Sequence, residues 1–248
     1  MVSKARLKYL RSLHQKKVRA REGVLLVEGG NVVREAVACG LADEVYLTAE
    51  AGERMPDIAA ESIEEREAEA LAQTKTPAGA FAVVKDPCGP FEPALLPDRA
   101  LVLLAAGVAD PGNLGTLIRT AAALGFDAVV TTAGSVEPGN AKVVRATAGA
   151  LFRLPVRYGE AADLREAGFS IWAADVGGTP IGDVAALPGR CALAVGNEPH
   201  GLPDDVLALC SERVSVPIRG GVESLNVAVA AGILMHGLRE LVERAAHR

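Results

Sequence analysis

The chain has 248 residues, half of them hydrophobic but only 4% aromatic, and a formal net charge of −5. That length is comfortable for two domains, and the apolar share supplies a core of Ala, Val and Leu without staples. The charge balance excludes a wholly basic nucleic-acid coat, but residues 1–21 hold Lys4, Arg6, Lys8, Arg11, Lys16, Lys17, Arg19 and Arg21 and no carboxylate. Cys39, Cys88, Cys191 and Cys210 show no C-x-x-C spacing. They point to free, mostly buried thiols in a reducing compartment rather than disulfides or zinc. The basic start is not followed by an apolar h-region, and no uncharged apolar run reaches ~18 residues, so a cytoplasmic protein with no membrane segment is expected.

In chain order, Leu7, Leu10, Leu13 and Val18 predict a helix over 3–20 with a cationic face. Val24–Val27 is an apolar run, Glu28-Gly29-Gly30 a turn, and Val32, Val33, Ala36 and Val37 a helical pattern that Gly40 ends. A short strand at Val45–Leu47, two short acidic helical stretches within 57–73 and a strand at Phe81–Val84 complete a small α/β unit, residues 1–85. Pro87, Gly89, Pro90, Pro93 and Pro97 defeat both helix and central strand, so 86–98 reads as a linker. The second unit, 99–248, opens with Leu101–Leu104, a buried parallel strand by its length and lack of alternation. Helix 113–124, strand 128–131, helix 139–150, strand 155–156, helix 161–167 and strands 171–174 and 192–195 follow. Helix 203–210, strand 213–216 and a long helix 225–244 close the chain. Strands alternating with helices make it α/β with a mostly parallel sheet.

Three stretches of this second unit set small residues beside a few directional polar ones, each next to an apolar strand. The first is Asp110-Pro111-Gly112-Asn113-Leu114-Gly115, leading into a helix that carries Arg119, which is placed within two turns of the helix start and near its dipole. The second is Val195-Gly196-Asn197-Glu198-Pro199-His200-Gly201, just past a strand's C-terminal end, where α/β sheets bind ligands. The third is Val216-Pro217-Ile218 through Gly220-Gly221 to Ser224-Leu225-Asn226, in which Ser224 reads as a helix N-cap with Asn226 at N2. Singly, each stretch is equally well a turn, a cap or an exposed glutamate. His200 reads as a loop residue, and nothing suggests a metal site. G-x-x-x-x-G-K-[ST], G-x-G-x-x-G between strand and helix, and G-x-S-x-G are all absent.

In the order N-x-G-x-x-x-R, G-N-E and S-L-N, the three stretches resemble the SpoU (TrmH) family of RNA ribose 2′-O-methyltransferases over about residues 100–242. Gly23–Gly29 followed by Val33-Arg34-Glu35-Ala36 is similar, more loosely, to that family's L30e-like substrate-binding domain. The resemblance implies a SPOUT fold with a C-terminal deep trefoil knot, which periodicity alone would not suggest. It also implies S-adenosylmethionine as cofactor, held by Gly196, Asn197, Val216, Ile218 and Leu225 largely through backbone atoms, with no metal. Arg119, Asn113, Glu198, Ser224 and Asn226 form the implied catalytic set. Because guanidinium stays protonated, Arg119 is better suited to clamp a phosphate and stabilise an alkoxide than to act as a base. The implied assembly is a homodimer whose subunits complete each other's sites. The eight basic residues of 1–21 would meet RNA phosphates, a solvated cationic helix being the alternative. Structured RNA, 23S ribosomal RNA above all, is the expected substrate. Transfer RNA, a non-catalytic ribosome-associated RNA-binding role and an ordinary Rossmann nucleotide enzyme are the rivals. Ala228, where the family often has serine, and Pro199-His200 depart from the pattern without removing a catalytic group.

Overall fold

A computed structural model describes residues 2–197 and 200–246. The chain order is α1 (Lys4–Ser12), α2 (Lys16–Glu22), β1 (Val24–Glu28), α3 (Gly30–Ala38), β2 (Ala42–Leu47), α4 (Ala49–Arg54), β3 (Glu61–Ser62), α5 (Glu65–Leu71) and β4 (Ala80–Lys85). It continues with β5 (Gly89–Pro90), β6 (Ala100–Ala105), α6 (Pro111–Ala123), β7 (Ala128–Thr131), α7 (Ala141–Ala146), β8 (Val156–Tyr158), α8 (Ala161–Glu166), β9 (Ser170–Pro180), β10 (Arg190–Val195), α9 (Asp204–Leu207), β11 (Glu212–Ser215) and α10 (Val227–Ala246). The chain divides into two compact units, 1–87 with 138–153, and 88–137 with 154–248.

In the first unit a four-stranded sheet runs β1-β4-β2-β3. Period-two alternation sends Phe81 and Val83 to one face, where they join Leu10, Leu13, Tyr46 and Leu71 in a buried cluster. α3 packs against β4, and α7 packs against β1. The expected helix 3–20 is in fact two helices. Leu13 is buried at the corner between them, and the Arg19 guanidinium turns back to donate to the carbonyls of Leu13 (3.1 Å) and His14 (2.7 Å). Arg19 is only 7% exposed, so its charge closes a chain corner and is removed from the surface. The acidic stretch departs as well: α4 lies before residue 57, only α5 lies within 57–73, and a short strand intervenes.

In the second unit seven strands run β11-β9-β10-β6-β7-β8-β5, every pairing parallel. Both faces are covered, which is why β6 is buried along its whole length and reads as an unbroken apolar run. Val102, Leu104, Val130, Leu164, Phe169 and Ile171 pack on one side. α6 and α10 pack together, burying Leu117, Ile118, Leu234 and Leu238. Each such side chain contributes roughly 1.5–3 kcal/mol by leaving water.

The proline-rich stretch is more ordered than a free linker. Gly89-Pro90 pairs with Arg157-Tyr158 as the sheet's edge strand, the position where a residue lacking N–H is tolerated. Helix 139–150 shortens to α7, which gives way to Ala148 (φ 50°) and Gly149 (φ 94°). β9 is longer than expected, and its register with β11 jumps: Ala173 faces Arg213, but Thr179 faces Val214. Residues 174–178 therefore loop out of the ladder. Of the four free cysteines only Cys191 is fully buried, its thiol pushed up to about 12 by burial; the other three are half-buried.

Candidate functional site

The C-terminal ends of β9 and β10, the segment after β11 and the start of α10 enclose a cavity of about 170 Å³. Gly196, Asn197, Val216, Ile218, Ser224 and Leu225 line it, so the five residues expected to hold a cofactor share one wall system with Ser224. Val195, Ala231 and Leu234 make its apolar floor. Sequence reasoning missed the opposite wall, Ala174, Asp175 and Val176, which is the loop bulged from β9. The signal available was Gly177-Gly178 directly after an apolar strand. Asp175 is held there by Gly177 N–H (3.0 Å) and by Arg213 Nη1 (2.6 Å).

Close backbone approach explains Gly196. A Cβ at that position would lie 2.2 Å from the carbonyl of Gly201. Asn197 and Gly201 exchange backbone hydrogen bonds of 2.9 and 2.8 Å, closing the loop between them. The Asn197 side chain donates through Nδ2 to Gly107 O (3.0 Å), which orients its amide. Its Oδ1 is buried with no hydrogen-bond partner among the described residues. A buried acceptor without a donor costs about 1–3 kcal/mol, so the site suits a ligand that brings one.

Two side-chain bonds knit the three sequence stretches together. Asn197 reaches the loop after β6, and Asp110 in the same loop caps α6 by accepting from Asn113 N (2.8 Å). Asn226 Nδ2 then donates to Asn113 Oδ1 (3.0 Å). Asn226 also accepts from Ala228 and Val229 N–H (2.9 and 3.3 Å), so the cap of α10 is Asn226 and not Ser224; Ser224 is left on the cavity wall because the helix starts at Val227.

Arg119 stands apart from this cluster. It is exposed, lies outside the cavity lining, and has no hydrogen bond or ion pair among the described residues. As the ninth residue of α6 it sits past the second turn, and six residues from Asn113 means about 120° around the helix. The expected help from the helix dipole, which fades beyond the first turn, is therefore lost. Glu198 lies outside the described residues.

Of the basic N-terminal set, Lys4, Lys8, Arg11, Lys16, Lys17 and Arg21 are exposed. Arg19 is withdrawn as described. Arg6 is engaged by Glu44 and Tyr46 and stacks 4.5 Å over the Tyr9 ring, and those hydrogen bonds outweigh its burial and raise its pKa. Arg21 pairs with neighbouring Glu22 at 2.7 Å. No helix among the described residues is long and apolar enough to cross a membrane.

The chain matches the model of the SpoU rRNA Methylase family over residues 100–236 and that of the MRM3-like substrate binding domain over 4–82. It is 35% identical to the 23S rRNA (guanosine(2553)-2′-O)-methyltransferase RlmP of Bacillus subtilis, covering 94% of this chain and 96% of that one. Among solved structures, the SpoU methyltransferase AviRb from Streptomyces viridochromogenes, in complex with AdoMet, superposes with a TM-score of 0.83 at 25% identity, covering 99% of this chain and all of that one. An AdoMet-bound rRNA methyltransferase from Sinorhizobium meliloti gives 0.79 at 25% identity, covering 97% of each. The seven-stranded parallel sheet matches these SPOUT methyltransferase structures. By sequence over nearly its whole length, and by fold, the chain belongs to the SpoU rRNA Methylase family.

Proposed function

We propose that this protein transfers a methyl group from S-adenosylmethionine to a ribose 2′-hydroxyl of 23S ribosomal RNA. The observation that carries the reading is the cavity itself: two of the three stretches wall one largely apolar site, the first is tied to them through Asn197–Gly107 and Asn226–Asn113, and Asn197 offers an acceptor with no partner among the described residues. Family membership and the B. subtilis relative support the chemistry and the substrate class.

Gly196, Asn197, Val216, Ile218 and Leu225 would hold the cofactor, mainly by shape and backbone groups. When bound, it supplies an electrophilic methyl on a sulfonium. The chain's task is to bring a weak nucleophile into line with that methyl, and positioning of this kind contributes several kcal/mol. Ser224 supplies a polar group of the cavity wall, and the Asn226–Asn113 bond ties α6 to the start of α10; Glu198 is kept in the catalytic set by its place in the motif. Arg119, permanently charged, clamps the phosphate beside the target ribose and stabilises the developing negative charge on the oxygen as its proton passes to solvent water. Its exposure outside the cavity supports a homodimer in which the arginine of one subunit serves the cavity of the other. The apolar side chains Val229 and Ile233, 53% and 42% exposed one turn apart on α10, suit that interface. The knotted threading expected of the C-terminal segment and a cytoplasmic setting belong to the same proposal. The exposed lysines and arginines of α1 and α2 add phosphate contacts.

The test is methyl transfer from radiolabelled S-adenosylmethionine to an unmodified 23S rRNA transcript, with the modified ribose mapped by resistance to alkaline cleavage. Incorporation at one ribose is expected. Intact cofactor and RNA binding without incorporation would leave a non-catalytic RNA-binding protein.

A further inference from the structure

Among the described residues one ionisable side chain lines the cavity at the sheet's edge, and it is Asp175. It stands on the loop 174–178 that bulges from β9, and the bulge is firmly seated. Ser215 Oγ donates to Gly178 O at 2.8 Å. A Cβ on Gly178 would lie 2.5 Å from the Arg213 carbonyl carbon, so the loop rests directly on the backbone of β11. Val176, next to Asp175, is 69% exposed, which places this wall at the rim of the cavity, while buried Val195, Ala231 and Leu234 close its depth.

The Asp175 carboxylate is oriented before any ligand arrives. Oδ1 accepts from Gly177 N–H at 3.0 Å, and Oδ2 accepts from Arg213 Nη1 at 2.6 Å. A carboxylate offers about four lone-pair sites, so each oxygen keeps one open. Three kinds of donor on S-adenosylmethionine could meet this edge. The exocyclic amine of the base points its two N–H bonds apart and belongs to a flat ring that the apolar depth suits better. The ammonium group gains from net negative charge, which the permanently charged Arg213 has already answered. Two neighbouring hydroxyls need adjacent acceptors and no net charge. The two open sites of one carboxylate are such a pair, and hydrogen bonds to an ionised acceptor are the strong ones.

We propose that Asp175 accepts hydrogen bonds from the 2′- and 3′-hydroxyls of the cofactor's ribose, with Arg213 as the positioning residue that holds the carboxylate. The inference rests on the cofactor reading above, and it adds a specificity determinant from β9, outside the three sequence stretches. A site built to accept from a ligand hydroxyl rejects the analogue that lacks it, because the acceptor is then left unpaired. The β9 bulge would thus select a ribonucleoside over its deoxy counterparts.

The test is calorimetry of the full chain with S-adenosylhomocysteine, its 2′-deoxy and 3′-deoxy analogues, and S-adenosylmethionine. The wild type is expected to bind each deoxy analogue about ten- to a hundredfold more weakly than S-adenosylhomocysteine. Asp175→Ala is expected to bind all three equally, within about threefold, at the affinity the wild type shows for the deoxy analogues. Asp175→Asn, which keeps the shape and one acceptor, should fall between. Arg213→Gln should weaken the preference for the hydroxyls, a readout that a merely structural role would not move. The deoxy analogues interrogate the native fold, so they decide the matter even if a variant unfolds. Deoxy analogues that bind the wild type as tightly as S-adenosylhomocysteine would overturn the proposal, as would a hydroxyl preference that survives Asp175→Ala. A much larger loss for S-adenosylmethionine than for S-adenosylhomocysteine in Asp175→Ala would also overturn it, since the carboxylate would then read the sulfonium charge. A wild type that binds neither cofactor nor product would bring down the functional reading with it, whereas binding without hydroxyl preference removes Asp175 alone.

Discussion

The two units handle charge in opposite ways. Among the described residues, every buried ionic side chain, Arg19, Glu28 and Glu67, lies in the first unit. In the second, the buried polar groups outside 138–153 are Thr131, Thr132 and Ser215. The cavities differ in degree: aliphatic side chains and backbone dominate at the parallel sheet's edge, with Asp175 as the lining carboxylate, whereas Arg34, Arg54, Arg145, Glu28 and Glu50 line one in the first unit. A small cofactor of fixed shape is recognised by contact, which ionic strength hardly affects; a polyanion is recognised by charge, which ionic strength weakens.

Four experiments break or sharpen this contrast. The largest effect is expected from Arg119→Ala, which should lower kcat by about 10²–10³ while calorimetric affinity for S-adenosylhomocysteine stays within about twofold. A loss of cofactor affinity instead would move Arg119 into the cavity. Next, Gly196→Ala forces a methyl into the Gly201 backbone; overpacking of this sort costs about 1–3 kcal/mol, so cofactor affinity should fall by up to roughly a hundredfold. Third, between 50 and 200 mM salt the RNA affinity should drop by tens-fold, at about 0.7–0.9 log units per log of salt for each phosphate met, while cofactor affinity barely changes. Equal salt dependence of both ligands would erase the distinction.

The smallest effect is a pH dependence confined to the first unit. Burial lowers the pKa of His14 from 6.5, outweighing the bond its Nε2 makes to Leu71 O at 3.0 Å. The unfolded chain then takes up the proton first, so this contribution to stability is whole above about pH 6.5 and declines as pH falls through that value toward the lower folded pKa. Denaturant melts of wild type and His14→Gln should diverge below that pH and converge above it.

Much of the second unit was legible because parallel strands buried on both faces write themselves as apolar runs; Leu101–Leu104 and Ala192–Val195 needed no partner to be read. The cavity was legible through Gly196, Asn197 and Gly201, since the chemistry of close approach leaves few other residue choices. What stayed hidden depended on distant partners. Nothing near Arg19 announces that its guanidinium folds back onto two carbonyls, and Ser224 looks as good a cap as Asn226 until the helix start is known. The bulge at 174–178 arises from a register jump against β11, a strand some forty residues on, and Gly177-Gly178 was the only local sign of it.

The placement of 138–153 has a consequence for how the molecule comes into being. This segment, whose α7 packs against β1, is separated in sequence from the rest of its unit by fifty residues. A truncated product ending at Pro87 would bare the surface of β1 that α7 covers, and should aggregate or melt at lower temperature than the full protein. During translation the nascent first unit must wait for residue 153 to leave the ribosome, by which time the first half of the second sheet has already been synthesised. The first unit can therefore close only after β5, β6 and β7 of the second sheet have been made, and gene fragments cut at the proline-rich boundary would make poor independent modules.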